Sequence, residues 1–307
     1  MRSTLLKVVG VDEFALIDII VDAMGDRAQG EWVHLGPGDD AAVITTTPGY
    51  DQVASIDVLV PDVHFPAKAP AFLIGYRALM VSLSDLAAMG ASPRYCVVAL
   101  TLNDAEDGSW LAELSRGMAV AARECGVYIC GGNLTRGPLN IAVSVHGEVL
   151  RGGAVKRSGG RANDKLYVSG PLGGAGACVS QSKLLPVQLE AMSELQKAYY
   201  QPQARFDWQR ELSLASCAID ISDGLLQDLT HLVNASGCGA QLIEENIPLV
   251  AGASTADALG SSDDYQLLFA SEQNHPDAFC IGKLCTEKGI WLNGQLVDAQ
   301  GYKHFHA

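Results

Sequence analysis

"AIDISDGLLQDL", residues 218–229, carries three local signals in twelve positions. Ala218-Ile219 opens an apolar run that reaches Asp220. Ser222-Asp223-Gly224 is turn chemistry, and Leu225, Leu229 and then Leu232 recur at helical spacing. The stretch reads as a short strand, a turn and a helix, with a carboxylate at the strand end. Taken alone, Ser222 is an ordinary N-cap and Asp223 an ordinary helix-start residue. Three other stretches repeat the theme of acidic or polar residues closing an apolar segment: "GPGDDAAV" (36–43), "ASIDVLVPDVHF" (54–65) and "VSLSDLAAMGA" (81–91). Asp39 and Asp40 are adjacent like charges on a tight turn, either solvated there or holding a cation. Asp57 and Asp85 resist the bland explanation. Each falls inside a mostly apolar element, where a carboxylate needs a strong partner.

Outward from these motifs the chain alternates helix and strand patterns. Residues 11–25 place Phe14, Ile17, Ile20 and Val21 on one helical face before Gly25. Residues 51–61 read as a strand broken by Pro61, and 70–89 as a helix carrying Phe72, Tyr76, Leu79, Leu83 and Leu86. A strand at 95–102, a helix at about 107–124, and strands at "VYIC" and "NIAVSVHGEVL" follow. Gly152, Gly153, Gly159 and Gly160 surround the basic segment "RGGAVKRSGGR", the best candidate for a domain junction, giving expected domains of 1–150 and 151–307. The second half is mixed α and β, from "KLYVSGPLGGAGACVS" through "YQLLFA" and "AFCIGKL" to the hairpin-like "IWLNGQLVDA".

Composition narrows the function classes. The 307 residues are 48% hydrophobic and 18% charged, enough for a substantial core. The net charge of −14 disfavours binding to nucleic acid or an anionic membrane as the main role. An acidic protein still binds an anionic substrate when metal ions intervene. The eight cysteines form no C-x-x-C pair and sit mostly in apolar surroundings, which reads as reduced thiols in a cytoplasmic protein. Asp12 and Glu13 interrupt the first apolar run before a signal-peptide core forms, and no uninterrupted apolar stretch approaches a bilayer span of roughly 20 residues.

The four motifs in this order, with "CGGNLTRGP" (130–138) and the closing "GYKHF" (301–305), resemble the thiamine-monophosphate kinase family. That family lies within the superfamily of aminoimidazole ribonucleotide synthetases. The resemblance covers nearly the whole chain. It implies a two-domain α+β, α/β architecture of PurM-like fold. The N-terminal mixed sheet with flanking helices would pair into a dimer barrel, and a C-terminal α/β domain would complete the active site. It also implies ATP-dependent phosphorylation of thiamine phosphate to thiamine diphosphate, in a homodimer. The residues make chemical sense in that role. No G-x-x-x-x-G-K-[ST] occurs, so a P-loop is excluded, and "SGPLGGAG" (169–176) lacks the lysine and reads as a turn. Positive charge for the polyphosphate must come from elsewhere, and carboxylates converging on several Mg²⁺ ions supply it.

By this resemblance Asp40, Asp57, Asp85, Asp220 and Asp223 are metal-binding carboxylates, with Ser55 adding a nearby oxygen. Ser222 touches the nucleotide, Gly132 and Asn133 meet the ATP phosphates, and Arg157 neutralises them. His64, Asp263 and Tyr302 take the substrate-contacting positions. The acceptor is itself an ionised phosphate, so neither a general base nor a protein nucleophile is expected. The chain departs from the family pattern at Asn133 for Asp, Ile56 for Thr and "SSDDYQ" (261–266) for "GGEDYE". It departs again at Ser82 for Asn and Pro61-Asp62 for Glu-Gly. Two alternatives remain at this stage. One is another PurM-like enzyme with a different acceptor, although the early cysteine of a selenophosphate synthetase is missing. The other is a catalytically weakened paralogue that binds nucleotide or thiamine phosphate.

Overall fold

The computed structural model describes residues 13–37 and 41–298, the side chains of Glu13 and Phe14 excepted. They form two compact units. The first comprises the residues up to Leu86 together with Ser92–Leu150; the second comprises Ala87–Ala91 and the residues from Arg151 onward.

In the N-terminal unit the elements run α1 (Glu13–Met24), β1 (Val33–Leu35), β2 (Val43–Ile44), β3 (Tyr50–Leu59), α2 (Ala71–Ala88), β4 (Ser92–Leu102), α3 (Gly108–Cys125), β5 (Tyr128–Arg136) and β6 (Asn140–Leu150). The last two residues of α2, Ala87 and Ala88, fall to the second unit. β1 and β2 pair as a hairpin, and the main sheet has the order β3-β6-β4-β5. Only β4 and β5 run parallel, and α3 supplies the crossover that a parallel pair needs. Alternation decides which face is covered. Val53 and Leu59 of β3 and Cys96, Val98, Leu100 and Leu102 of β4 are buried, whereas Ile56 and Val58 are exposed. α2 is long and apolar enough to cross a bilayer, but 89% of it is buried as the core helix of this unit. Gly75 and Gly117 bring α2 and α3 into backbone contact. A Cβ on either would lie 2.0 Å from the facing carbonyl oxygen, of Leu114 or Phe72 respectively. Asp107 caps α3 by accepting the Trp110 N–H at 2.8 Å, and Gly126 ends the helix in the left-handed region at φ 69°.

Several expectations shift. β3 ends at Leu59, two residues before the predicted break at Pro61, and β5 runs on through Gly131 and Gly132 to Arg136 where the sequence suggested only "VYIC". On α1 the buried residues are Leu16 and Met24, while Ile17, Ile20 and Val21 are half-buried.

The second unit contains β7 (Lys165–Val168), α4 (Gly174–Ser180), α5 (Glu194–Tyr200), α6 (Gln209–Leu212), β8 (Cys217–Asp220), α7 (Leu225–Ser236), β9 (Gly239–Leu242), α8 (Thr255–Leu259), β10 (Leu267–Ser271), β11 (Phe279–Cys285), β12 (Ile290–Leu292) and β13 (Gln295–Val297). Its sheet order is β13-β12-β9-β11-β7-β10-β8, antiparallel except between β12 and β9. β8 and β10 are buried at every residue because both sheet faces are covered. On one face Leu166, Val168, Ile219 and Leu268 meet Leu225, Leu229 and Leu232 of α7. On the other, Tyr167 and Phe269 meet Trp208, Leu212 and Ala88. Asn293 and Gly294, at φ 49° and 82°, make the expected β12–β13 turn. All eight cysteines are free; five are buried, and Cys280 is exposed.

Candidate functional site

In the N-terminal unit the strand period puts Val53, Ser55, Asp57 and Leu59 on the covered face of β3, and α2 lies beneath them. Ser55 Oγ donates to Asp85 Oδ2 on α2 at 2.5 Å. Asp57 lies close enough to Asp85 to feel its charge. Burial first, and the Asp85 carboxylate second, push the Asp57 carboxyl up to about 6, against an opposing contact from the Ser82 hydroxyl. Two carboxylates and a hydroxyl therefore gather on one half-buried patch, with an unrelieved repulsion between the acids. The donors are all hard oxygens, the set that suits Mg²⁺. Among the described residues, no three His, Cys, Asp or Glu side chains are grouped to hold one ion. The patch supplies two of that kind plus Ser55.

The loop after β3 is tightly bonded to itself. Asp62, at φ 60°, donates its N–H to the Phe65 carbonyl at 2.7 Å and accepts from the Ala67 N–H at 3.0 Å. His64 Nδ1 accepts the Val60 N–H at 3.1 Å, which leaves its proton on Nε2, and the His64 carbonyl accepts from Arg77 Nε. His64 is thus a loop residue of fixed tautomer. Gly132 and Asn133 sit in the edge strand β5. A single register row joins Asp57, Val143, Val98 and Gly132; the next joins Val58, Ala142, Ala99 and Asn133. Gly132 therefore shares a face with Asp57, three strands and roughly 14 Å away. Asn133 points from the opposite face, so the structure does not bring it to Asp57 and Asp85 within this unit. Ile56 also faces away, at 63% exposure.

In the second unit Asp220 ends β8 and is buried, and Ser222 and Asp223 follow in the turn before α7. Asp223 Oδ2 accepts from Gln227 Nε2 at 2.9 Å. The loop carrying Asp263 packs beside this turn: the Tyr265 N–H donates to the Ile221 carbonyl, and the Ile221 N–H to the Gln266 carbonyl, both at 2.8 Å. Arg157 is exposed on the segment bordering the free edge of β8, where the Ala218 N–H donates to the Lys156 carbonyl at 2.9 Å. Ser236 Oγ holds the Arg157 carbonyl at 3.0 Å. Asp39, Asp40 and Tyr302 lie outside the described residues.

Two acids escaped the sequence reading. Asp228, 2% exposed, accepts three backbone N–H bonds on one oxygen, from Ser222, Asp223 and Gly224 at 3.0, 3.0 and 3.2 Å. Burial pushes its carboxyl up to about 7 against the pull of those bonds. Its signal was present in the sequence, since it interrupts the leucine stripe of α7, three residues after Leu225 and four before Leu232. Asp264, not its neighbour Asp263, is the buried acid of "SSDDYQ". It accepts the Gly173 N–H at 2.7 Å and the Ala175 N–H at 3.4 Å, while Ser262 Oγ accepts that of Gly176 at 3.0 Å. The Gly-rich segment is therefore a turn running into α4, with the N–H groups of Gly173, Ala175 and Gly176 occupied by protein oxygens.

Residues 38–149 match the family model of the AIR synthase related protein N-terminal domain, and residues 161–306 that of the C-terminal domain. The chain is 35% identical over 322 residues to the thiamine-monophosphate kinase of Escherichia coli strain K12, covering 95% of this chain and 98% of that one. It is similar to the crystal structure of thiamine-monophosphate kinase from Stenotrophomonas maltophilia K279a, with a TM-score of 0.83 and 32% identity over 94% of this chain and 98% of that one. AaThiL complexed with AMPPCP and TMP is similar with a TM-score of 0.78 and 27% identity, over 99% and 100%.

Proposed function

The chain belongs to the thiamine-monophosphate kinase family of AIR synthase related proteins and has their two-domain PurM-like fold, and from that premise we propose that it phosphorylates thiamine phosphate with ATP. The products are thiamine diphosphate and ADP, formed by direct in-line transfer. The observation that carries the reading is the Ser55–Asp57–Asp85 oxygen patch, whose internal repulsion calls for a cation. AaThiL with AMPPCP, an ATP analogue, and TMP supports the pairing of nucleotide and thiamine phosphate. Asp57, Asp85 and Ser55, with Asp40, Asp220 and Asp223, would hold several Mg²⁺ ions. Bound there, these supply charge neutralisation for the polyphosphate.

The remaining roles fall to the chain's own side chains. Gly132 and Asn133 meet the ATP phosphates, Arg157 offsets their charge and Ser222 contacts the nucleotide. His64, Asp263 and Tyr302 orient thiamine phosphate. Its phosphate is already ionised near neutral pH, so the protein positions and neutralises without acting as base or nucleophile. The face of the main sheet that carries the exposed Ile56 and Val58 pairs with that of a second copy to form a homodimer. The enzyme works in the cytoplasm, which suits free, mostly buried thiols.

A second reading, a weakened nucleotide- or thiamine-phosphate-binding paralogue, rests on Asn133, which brings no charge where the family pattern has Asp. A coupled ADP-release assay with ATP, Mg²⁺ and thiamine phosphate separates the two. Turnover that Asp85→Ala abolishes in a folded protein supports the kinase. ATP binding without turnover supports the paralogue, and turnover only with another acceptor points to a different enzyme of this fold.

A further inference from the structure

The geometry points to Asp228 as a positioning residue that shapes the Ser222–Gly224 loop and closes the backbone of that loop to bare anions. The inference rests on the kinase reading for the roles of Ser222 and Asp223, and on geometry alone for the loop. Helix starts and Gly-containing turns ordinarily attract phosphate through unpaired backbone N–H groups. Here the four N–H groups of the turn leading into α7, from Ile221 to Gly224, are all taken. The Ile221 N–H donates to the Gln266 carbonyl at 2.8 Å, and those of Ser222, Asp223 and Gly224 all donate to Asp228 Oδ2. The loop is pressed from its other side as well. Gly224 adopts φ 113°, and a Cβ there would lie 1.5 Å from the Gly260 carbonyl oxygen. Asp228 is buried on the apolar face of α7, so its carboxylate is held in place by the packing of Leu225, Leu229 and Leu232.

A nucleotide reaching this loop therefore meets side-chain oxygens, the Ser222 hydroxyl and the Asp223 carboxylate. The hydroxyl can donate one hydrogen bond to a phosphate oxygen, but the carboxylate repels it unless a divalent cation comes with the phosphate. Asp228 acts through these two residues and touches no reacting atom.

The test compares wild type, Asp228→Asn and Asp228→Ala in the full chain. Amide hydrogen exchange is read over residues 218–226, and Mg·ATP and metal-free ATP binding by calorimetry, all without acceptor. Asp228→Ala should speed exchange at residues 222–224 at least tenfold, leave β10 unchanged and weaken Mg·ATP at least tenfold. Metal-free ATP should bind it no more weakly than wild type. Asp228→Asn retains one neutral acceptor oxygen and should lose threefold or more in both exchange protection and Mg·ATP affinity. It keeps the test decisive should the alanine variant not fold. Unchanged exchange in either folded variant overturns the proposal. Faster exchange with unchanged Mg·ATP affinity also overturns it, because the bonds would then be structural only. Absence of turnover with thiamine phosphate in wild type would count against the kinase reading and leave these two readouts standing.

Discussion

Replacing Asp57 by Asn should stabilise the metal-free protein at neutral pH while removing its activity. Asp57 is held at about 6, against 3.8 for an ordinary Asp, by burial and by the Asp85 charge. The native state therefore binds this proton more tightly than the unfolded chain does. Its contribution is intact below about pH 4, where both states are protonated, and is lost as pH rises from about 4 to 6. Above pH 6 the displacement corresponds to about 3 kcal/mol of destabilisation. Solvent screening at this half-buried position reduces the expected figure to about 2 kcal/mol. The amide is nearly isosteric and carries no charge. Asp57→Asn should thus gain about 2 kcal/mol in urea unfolding with chelator at pH 7.5, and the gain should shrink toward zero near pH 4. Stability given up at a site that a ligand later relieves is a common trade between folding and function. A variant no more stable than wild type at pH 7.5, or a gain that does not change with pH, would refute the reasoning.

Two further substitutions probe other parts of the account. Gly132→Ala places a Cβ 1.9 Å from the Val98 carbonyl oxygen, so β5 must move off β4; a loss of about 3 kcal/mol is expected in denaturant unfolding, with ATP affinity falling as the edge shifts. Ile56→Asp sits on the exposed sheet face and should leave the protomer folded, with only the concentration-dependent stability of the dimer lost in unfolding. In sedimentation it should convert dimer to monomer at micromolar concentration.

How far the sequence reveals this site depends on what each residue does to its surroundings. Asp57 and Asp85 stood out because a carboxylate inside an apolar strand or helix violates the pattern around it, and the structure places both with Ser55. Asp228 makes the same violation within α7, but the two nearby acids in "DISDGLLQD", Asp220 and Asp223, draw the reading toward the turn. The strand β5 runs past the "VYIC" that the sequence suggests, through Gly131 and Gly132. In fact Gly132 stays in the ladder because only a residue without Cβ fits against Val98. The face of Asn133 was not legible at all. It depends on an irregularity in the β4–β5 register between Cys96 and Val97, and one residue of slip reverses every side chain beyond it. The choice between Asp263 and Asp264 was hidden for a similar reason, since the backbone turns through φ 51° at Tyr265.

The most direct measurement follows the phosphoryl group itself. The protein is incubated with ATP labelled at its terminal phosphate, thiamine phosphate and Mg²⁺, and the products are separated. The account predicts label in thiamine diphosphate, none bound to the protein, and no transfer in chelator or with Asp85→Ala. Label retained on the protein, or no label in thiamine diphosphate while ATP is consumed, would contradict it.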